Sequence, residues 1–188
     1  MSGKLDIDLE YTLAEDRNLD VVYHLLTCLS VNVGDSLMLV DPFFSAVEQL
    51  TAPMSDKEKS SEKFIWKLFI VSLCESTQNL KIRILTKEPL NYQAGDAYPV
   101  IFHIPEFPSC SIEIARYAQS VNNYPRSLHD RWILKENGEE RKGVHMGPSL
   151  ADIYDKDVTM TEFDDCMLDE VISRFETVWH LACVRRCR

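Results

Sequence analysis

Apolar residues along this chain switch between a helical and an alternating period, and the order of the switches restricts the fold to helices layered on a sheet. Between Asp20 and Val33, the positions Val21, Val22, Leu25, Leu26 and Leu29 recur at helical spacing, and Asp20 is placed to cap that helix. Gly34-Asp35 breaks it. Ser36 to Asp41 then reads as a short buried strand, ended by Pro42, which cannot donate to a ladder. From Lys59 to Glu75 the helical period returns, with Phe64, Leu68 and Val71 beside Ile65 and Phe69. Leu80 to Thr86 alternates with period two, as does Ser109 to Tyr117, and both predict strands. Tyr98 to Ile104 is a further extended piece. Leu128 to Glu136 and Gly143 to Met146 form the arms of a hairpin about Asn137-Gly138. A last helix carries Met167, Leu168, Val171, Ile172, Phe175, Val178, Trp179 and Ala182. It runs into Arg185, Arg186 and Arg188, cations suited to the negative end of a helix. Residues 1–17 read as an edge strand or loosely held arm, and 48–59 and 87–99 as connections. The expected fold is an α/β sandwich in which helices flank a central mixed sheet, one domain over residues 1–188.

Charge and cysteine usage narrow the function classes. A formal net charge of −10 argues against a surface that coats nucleic acid, because such binding rests on Lys and Arg contacts to phosphates. A local basic pocket remains compatible with it. The six cysteines form no CxxC pair and no Cys/His cluster of zinc-finger spacing, so neither a metal nor another cofactor is expected. Cys28 and Cys74 lie in apolar runs and read as small buried hydrophobes. Cys183 and Cys187 stand one helical turn apart, too loose a pattern for a metal or redox site. No signal-peptide pattern opens the chain, and no apolar run approaches the roughly 18 residues that span a bilayer. A cytoplasmic protein with reduced thiols is the expectation.

The residues best suited to chemistry begin at His129. His129 and Arg131 are two apart on an expected strand, so they share one sheet face about 6–7 Å apart. Imidazole beside guanidinium is poor core material and a good phosphate site. Arginine offers a planar fork to phosphate oxygens, and histidine can attack phosphorus or donate a proton. A hairpin turn centred near Gly138–Glu140 would set residue 129 opposite 149 or 150, bringing Ser149 beside His129.

The run His129-Asp130-Arg131-Trp-Ile-Leu-Lys-Glu136, followed by Gly147-Pro148-Ser149-Leu-Ala-Asp152, resembles the signature of the phospholipase D superfamily. That pattern is His-x-Lys, four residues, Asp, and later a Gly/Ser/Asn element. His129 matches the nucleophile, Arg131 stands for the lysine and Glu136 for the aspartate. Gly147 and Ser149 match the later element with one insertion, and Asp152 stands near its Asn. Asp41-Pro42-Phe43-Phe44 and Ile84-Leu85-Thr86 also resemble strand ends in superfamily members with a His-Asp-Arg variant, as does the Phe175-x-x-x-Trp179 helix. The resemblance spans roughly residues 36–180. It implies a phospholipase-D-like sandwich, and a two-step phosphodiester displacement in which one histidine forms a phosphohistidine and a second protonates the leaving oxygen. This chain holds one motif, so catalysis would need two copies meeting in a homodimer, as in small dimeric nucleases of the superfamily. His-Asp-Arg variants also occur in members that bind partners or acidic lipids, such as the C-terminal domain following some microtubule-interacting-and-transport domains. Stand-alone proteins with the variant resemble parts of bacterial multi-gene systems, including anti-phage defence. The two motif substitutions and the negative charge favour a module that binds a phosphate group or a partner within a larger assembly. A dimeric phosphodiesterase or nuclease acting through His129, and a structural subunit with a vestigial site, are the alternatives.

The remaining candidates have simpler readings. His145 is expected nearer Leu134 than His129, as a structural histidine. His103, His24 and His180 are expected to pack. Asp41, at a strand end, either orients a site residue or caps the next turn. Asp152, Asp155, Asp157, Asp164 and Asp165 lack EF-hand spacing and read as a solvated acidic face.

Overall fold

Leu37 to Val40 are four consecutive apolar residues, the pattern of a strand covered on both faces, and all four are buried. The computed structural model describes residues 13–42, 44, 62–87, 100–102, 107–117, 131–138, 140–147 and 160–184. In it β1 (Ser36–Val40) occupies the middle of a seven-stranded sheet. The other strands are β2 (Lys81–Lys87), β3 (Val100–Phe102), β4 (Ser111–Tyr117), β5 (Trp132–Asn137), β6 (Glu140–His145) and β7 (Thr161–Glu162). The described helices are α1 (Leu13–Leu29), α2 (Glu62–Ser76) and α3 (Asp165–Val184). The order across the sheet is β3-β4-β2-β1-β5-β6-β7. β1 pairs parallel with β2, and β2 with β4, while the remaining pairs are antiparallel. The chain is thus α/β with a mixed sheet.

The alternation of each strand divides the core in two. Leu37, Leu39, Ile82, Ile84, Ile112 and Ile114 share one cluster with Leu25 and Leu29 of α1 and Trp66 and Phe69 of α2. Met38, Val40, Leu85, Ala115 and Leu134 face the other way, against Leu168, Phe175 and Val178 of α3. Arg83 lies on this second face. Its guanidinium makes paired hydrogen bonds to Glu176 at 3.0 and 2.6 Å and sits 5.1 Å above the Phe175 ring, which clasps α3 to β2.

Close packing of α3 on β6 depends on the missing side chain of Gly143. A methyl group there would come within 2.6 Å of Leu134 and Phe163 and 2.8 Å of Leu168. Leu134 and Leu168 are buried and have little room to yield. Gly143→Ala is therefore expected to destabilise the domain by about 1–3 kcal/mol. The check is a lower urea midpoint with an unchanged slope.

Five expectations need correction. Residues 13–17 are the first turns of α1 rather than an arm, and Asp20 is an exposed mid-helix residue rather than its cap. Ala14, Glu15 and Arg17 are good helix formers, so a polar start did not mean a late start. The helix stops at Leu29, before Val33, with Ser30 in the left-handed region at φ 49°. The buried side of α2 is Trp66, Phe69, Ile70 and Leu73, rotated from the face expected, because this helix is apolar nearly all round and periodicity could not select a side. His24 and His180 are exposed rather than packed. Finally, His145 lies opposite Trp132, not Leu134. The turn is tighter than assumed and pairs Asn137 directly with Glu140, helped by Gly138 at φ 59°. The arm before residue 13, the connections 48–59 and 88–99, and the basic end at 185–188 lie outside the described residues.

Candidate functional site

β1, β2 and β4 build out one side of the sheet, and β5, β6 and β7 build out the other, so the order reverses between β1 and β5. Ligands of open α/β sheets bind beyond the carboxyl ends of strands at such a reversal. Asp41 immediately follows β1 and Arg131 immediately precedes β5, with Val40 and Trp132 paired between them. The two side chains meet there. Arg131 Nε lies 3.3 Å from Asp41 Oδ1, and the side chains are 2% and 1% exposed. The contact is one of charge rather than an aligned Nε hydrogen bond. The other carboxylate oxygen accepts the indole N–H of Trp66 from α2. Asp41 therefore orients a cation and is itself oriented.

The surrounding backbone fixes this arrangement. Asp41 N–H donates to the Leu85 carbonyl at 3.1 Å, and the Thr86 hydroxyl donates to the Phe44 carbonyl at 2.9 Å. Both bonds tie the turn after β1 to the end of β2. Tyr117, at the end of β4, is also buried. Burial, and secondarily the Asp41 charge, pushes its phenol well above the usual range, so it stays protonated at neutral pH.

The hairpin changes character at the same edge. Met146 N–H donates to the Arg131 carbonyl at 2.8 Å, while Arg131 N–H donates to the Gly147 carbonyl at 3.3 Å. Two residues of the returning arm thus oppose one of the outgoing arm, which is a β-bulge, a device that re-aims side chains at sheet edges. Gly147 has φ 68°, a conformation that favours glycine.

Of the residues singled out from the sequence, Asp41, Arg131 and Gly147 are brought together here. Glu136 is not. It sits near the far end of β5, opposite Ser36 and Arg141 and about 16 Å along the strand from Arg131. His129, Ser149 and Asp152 lie outside the described residues, as do His103, Asp155 and Asp157. His145 packs its ring against Phe163, with centroids 6.2 Å apart. Asp164 caps α3 by accepting the Met167 N–H at 2.8 Å, and Asp165 is exposed beside it. Trp66 was missed in the sequence. A signal existed: a buried indole N–H needs an acceptor, and a carboxylate ending a buried strand is one.

A second buried charge cluster lies at the opposite end of the sheet. Lys135 is fully buried; its Nζ is 2.9 Å from Glu140 and 3.7 Å from Asp35, and it donates to the Ser30 carbonyl at 3.1 Å. It thereby places a cation at the negative end of α1. Asp35 also accepts from Asn32 N–H at 2.7 Å and from the Asn137 side chain at 2.6 Å. The hydrogen bond from Lys135, then its charge, holds the Glu140 carboxyl below its ordinary value.

Between α1, β6, β7 and α3 lies a cleft of about 340 Å³, lined by Cys28, Lys142, Gly143, Glu162 and Asp165 among others. Cys28 is half-buried, with its sulfur 3.5 Å from His24 Nε2. Burial, and then the neighbouring Glu162 carboxylate, pushes the Cys28 thiol up, so it is a poor nucleophile. Among the described residues no three His, Cys, Asp or Glu side chains converge as metal ligands, and no helix is long and apolar enough to cross a membrane.

Fold and site together define a mixed α/β domain with a buried Asp–Arg pair at the reversal of its sheet. No family model matches the sequence, and no curated protein or solved structure matches it either.

Proposed function

We propose that this chain is a phospholipase-D-like module that binds a phosphate group, or a partner presenting one, as a subunit of a larger assembly. The observation that carries the reading is the pair of hydrogen bonds joining Arg131 to Met146 and Gly147. They hold the segment that follows His129 against the segment that leads to Ser149, beside a buried cation at the edge where such sheets take ligands. Binding is favoured over turnover by two further facts. The Arg131 charge already faces Asp41 at 3.3 Å, and Glu136 stands at the other end of β5. The phospholipase-D-like sandwich and a place in bacterial defence belong to the same proposal and rest on the resemblance, while the cytoplasmic setting rests on the cysteine usage and the absence of a signal-peptide pattern.

Calorimetric titration with inorganic phosphate, at low salt and without metal, tests it. Saturable binding is expected, weakened at least tenfold by His129→Ala and by Ser149→Ala, with no release of nitrophenol from bis(p-nitrophenyl) phosphate. Absence of phosphate binding by the folded protein would sink the binding reading. Hydrolysis that His129→Ala abolishes would replace it with the dimeric phosphodiesterase, in which two His129 rings must approach closely enough to share one phosphate.

A further inference from the structure

Two buried thiols lie away from the charge clusters, where the last turn of α2 covers the start of β4. Cys74 is 5% exposed and Cys110 is 1% exposed, and both are reduced. Burial, and after it the neighbouring Cys110, pushes the Cys74 thiol up. The Cys110 sulfur lies 3.6 Å from the Thr77 carbonyl and 4.0 Å from that of Cys74, so it is held under the helix end from two directions. By contrast, Cys28 meets His24, and Cys166 is exposed on α3.

We infer that Cys74 and Cys110 form a latent disulfide, which a disulfide oxidant closes within the folded domain to tether α2 to the head of β4. The chemistry is two exchanges. The thiolate of one cysteine attacks a sulfur of the oxidant, the S–S bond breaks, and one reduced thiol leaves. The second cysteine loses its proton, attacks the mixed disulfide and expels the other. Two S–H bonds are lost, one S–S bond forms, and one oxidant disulfide becomes two thiols. Burial keeps the Cys74 thiol protonated, which makes the first attack slow. The way in is the turn above the pair. Glu75, Ser76, Gln78 and Asn79 are exposed there, and Asn79 is left-handed at φ 58°. The link would close residues 75–109, including β2 and β3, into a loop and so restrict the unfolded chain.

The folded protein is incubated with oxidised glutathione at about pH 8.5 for about a day, a pH chosen to raise the thiolate fraction. Remaining thiols are then alkylated in denaturant, and the unreduced digest is mapped by mass spectrometry. A peptide joining Cys74 to Cys110, two hydrogens lighter, is expected, with a thermal midpoint several degrees higher that dithiothreitol reverses. Cys110→Ser should abolish the rise; if that variant misfolds, the peptide map of the unsubstituted protein decides alone. Full alkylation of both cysteines, or a link that forms only when oxidation is done in denaturant, would overturn the inference.

Discussion

Arg131→Met is expected to destabilise the domain by about 3–5 kcal/mol, because it leaves the Asp41 carboxylate buried without its cation. The Trp66 indole would remain as a donor to Asp41, but a neutral hydrogen bond does not offset the loss of a full charge in a water-excluded site. Methionine matches the length of the arginine stem, so little of the effect would come from lost packing. Asp41→Asn/Arg131→Met removes both charges and keeps an oxygen for the indole. It should recover much of the stability, since replacing both members of a buried pair is often near neutral. The four proteins of this cycle, unfolded in urea, give the coupling between the two side chains directly. A loss below about 1 kcal/mol for the single variant, or a double variant as unstable as the single, would mean that the pair does not act as a buried ion pair. Phosphate titration of the double variant separates stability from binding, because it folds without the Arg131 charge on which the proposed site depends.

The framework of this fold was readable wherever one physical signal stood alone. Ser36 to Val40 could only be a two-sided strand, and the alternation of Leu80 to Thr86 and of Ser109 to Tyr117 fixed which side chains face which layer. Legibility failed where two signals coincided. On α2, Phe64, Ile65, Trp66, Leu68, Phe69 and Ile70 leave no polar face to mark the outside, so the tertiary contact of Trp66 with Asp41 chose the orientation. Hairpin register failed by two residues at the turn, which moved His145 from Leu134 to Trp132. At the site, Asp41 and Arg131 were legible as candidates from their chemistry. Their mutual contact was not, because β1 and β5 are neighbours through a long-range crossover that no local pattern encodes. The bulge at Met146 and Gly147 was hidden for the same reason. Lys135 shows the converse case: a lysine following Trp132-Ile133-Leu134 invites an outward reading, yet strand parity sends it inward beside Ile133.

Lys135→Met is expected to cost about 2–4 kcal/mol, most of it from Asp35, which is fully buried. The loss should be smaller than for Arg131→Met because Asn32 N–H and the Asn137 side chain continue to donate to Asp35. Part of the cost falls on α1, whose C-terminal Ser30 carbonyl loses the lysine donor. The pH dependence distinguishes this cluster from a simple packing defect. The Glu140 carboxyl is held below its ordinary value of 4.5 by the Lys135 hydrogen bond. A carboxyl lowered in the folded state binds fewer protons there than in the unfolded chain, so its contribution is complete above the ordinary value. It disappears as the pH falls through the lowered value. Wild-type stability should therefore drop across this acidic window, and Lys135→Met, lacking the partner, should drop less, so the gap between them narrows. Urea unfolding of both proteins from neutral pH down through that window measures it. A gap that stays constant would show that Glu140 titrates independently of Lys135, and a gap that widens on acidification would reverse the assigned sign.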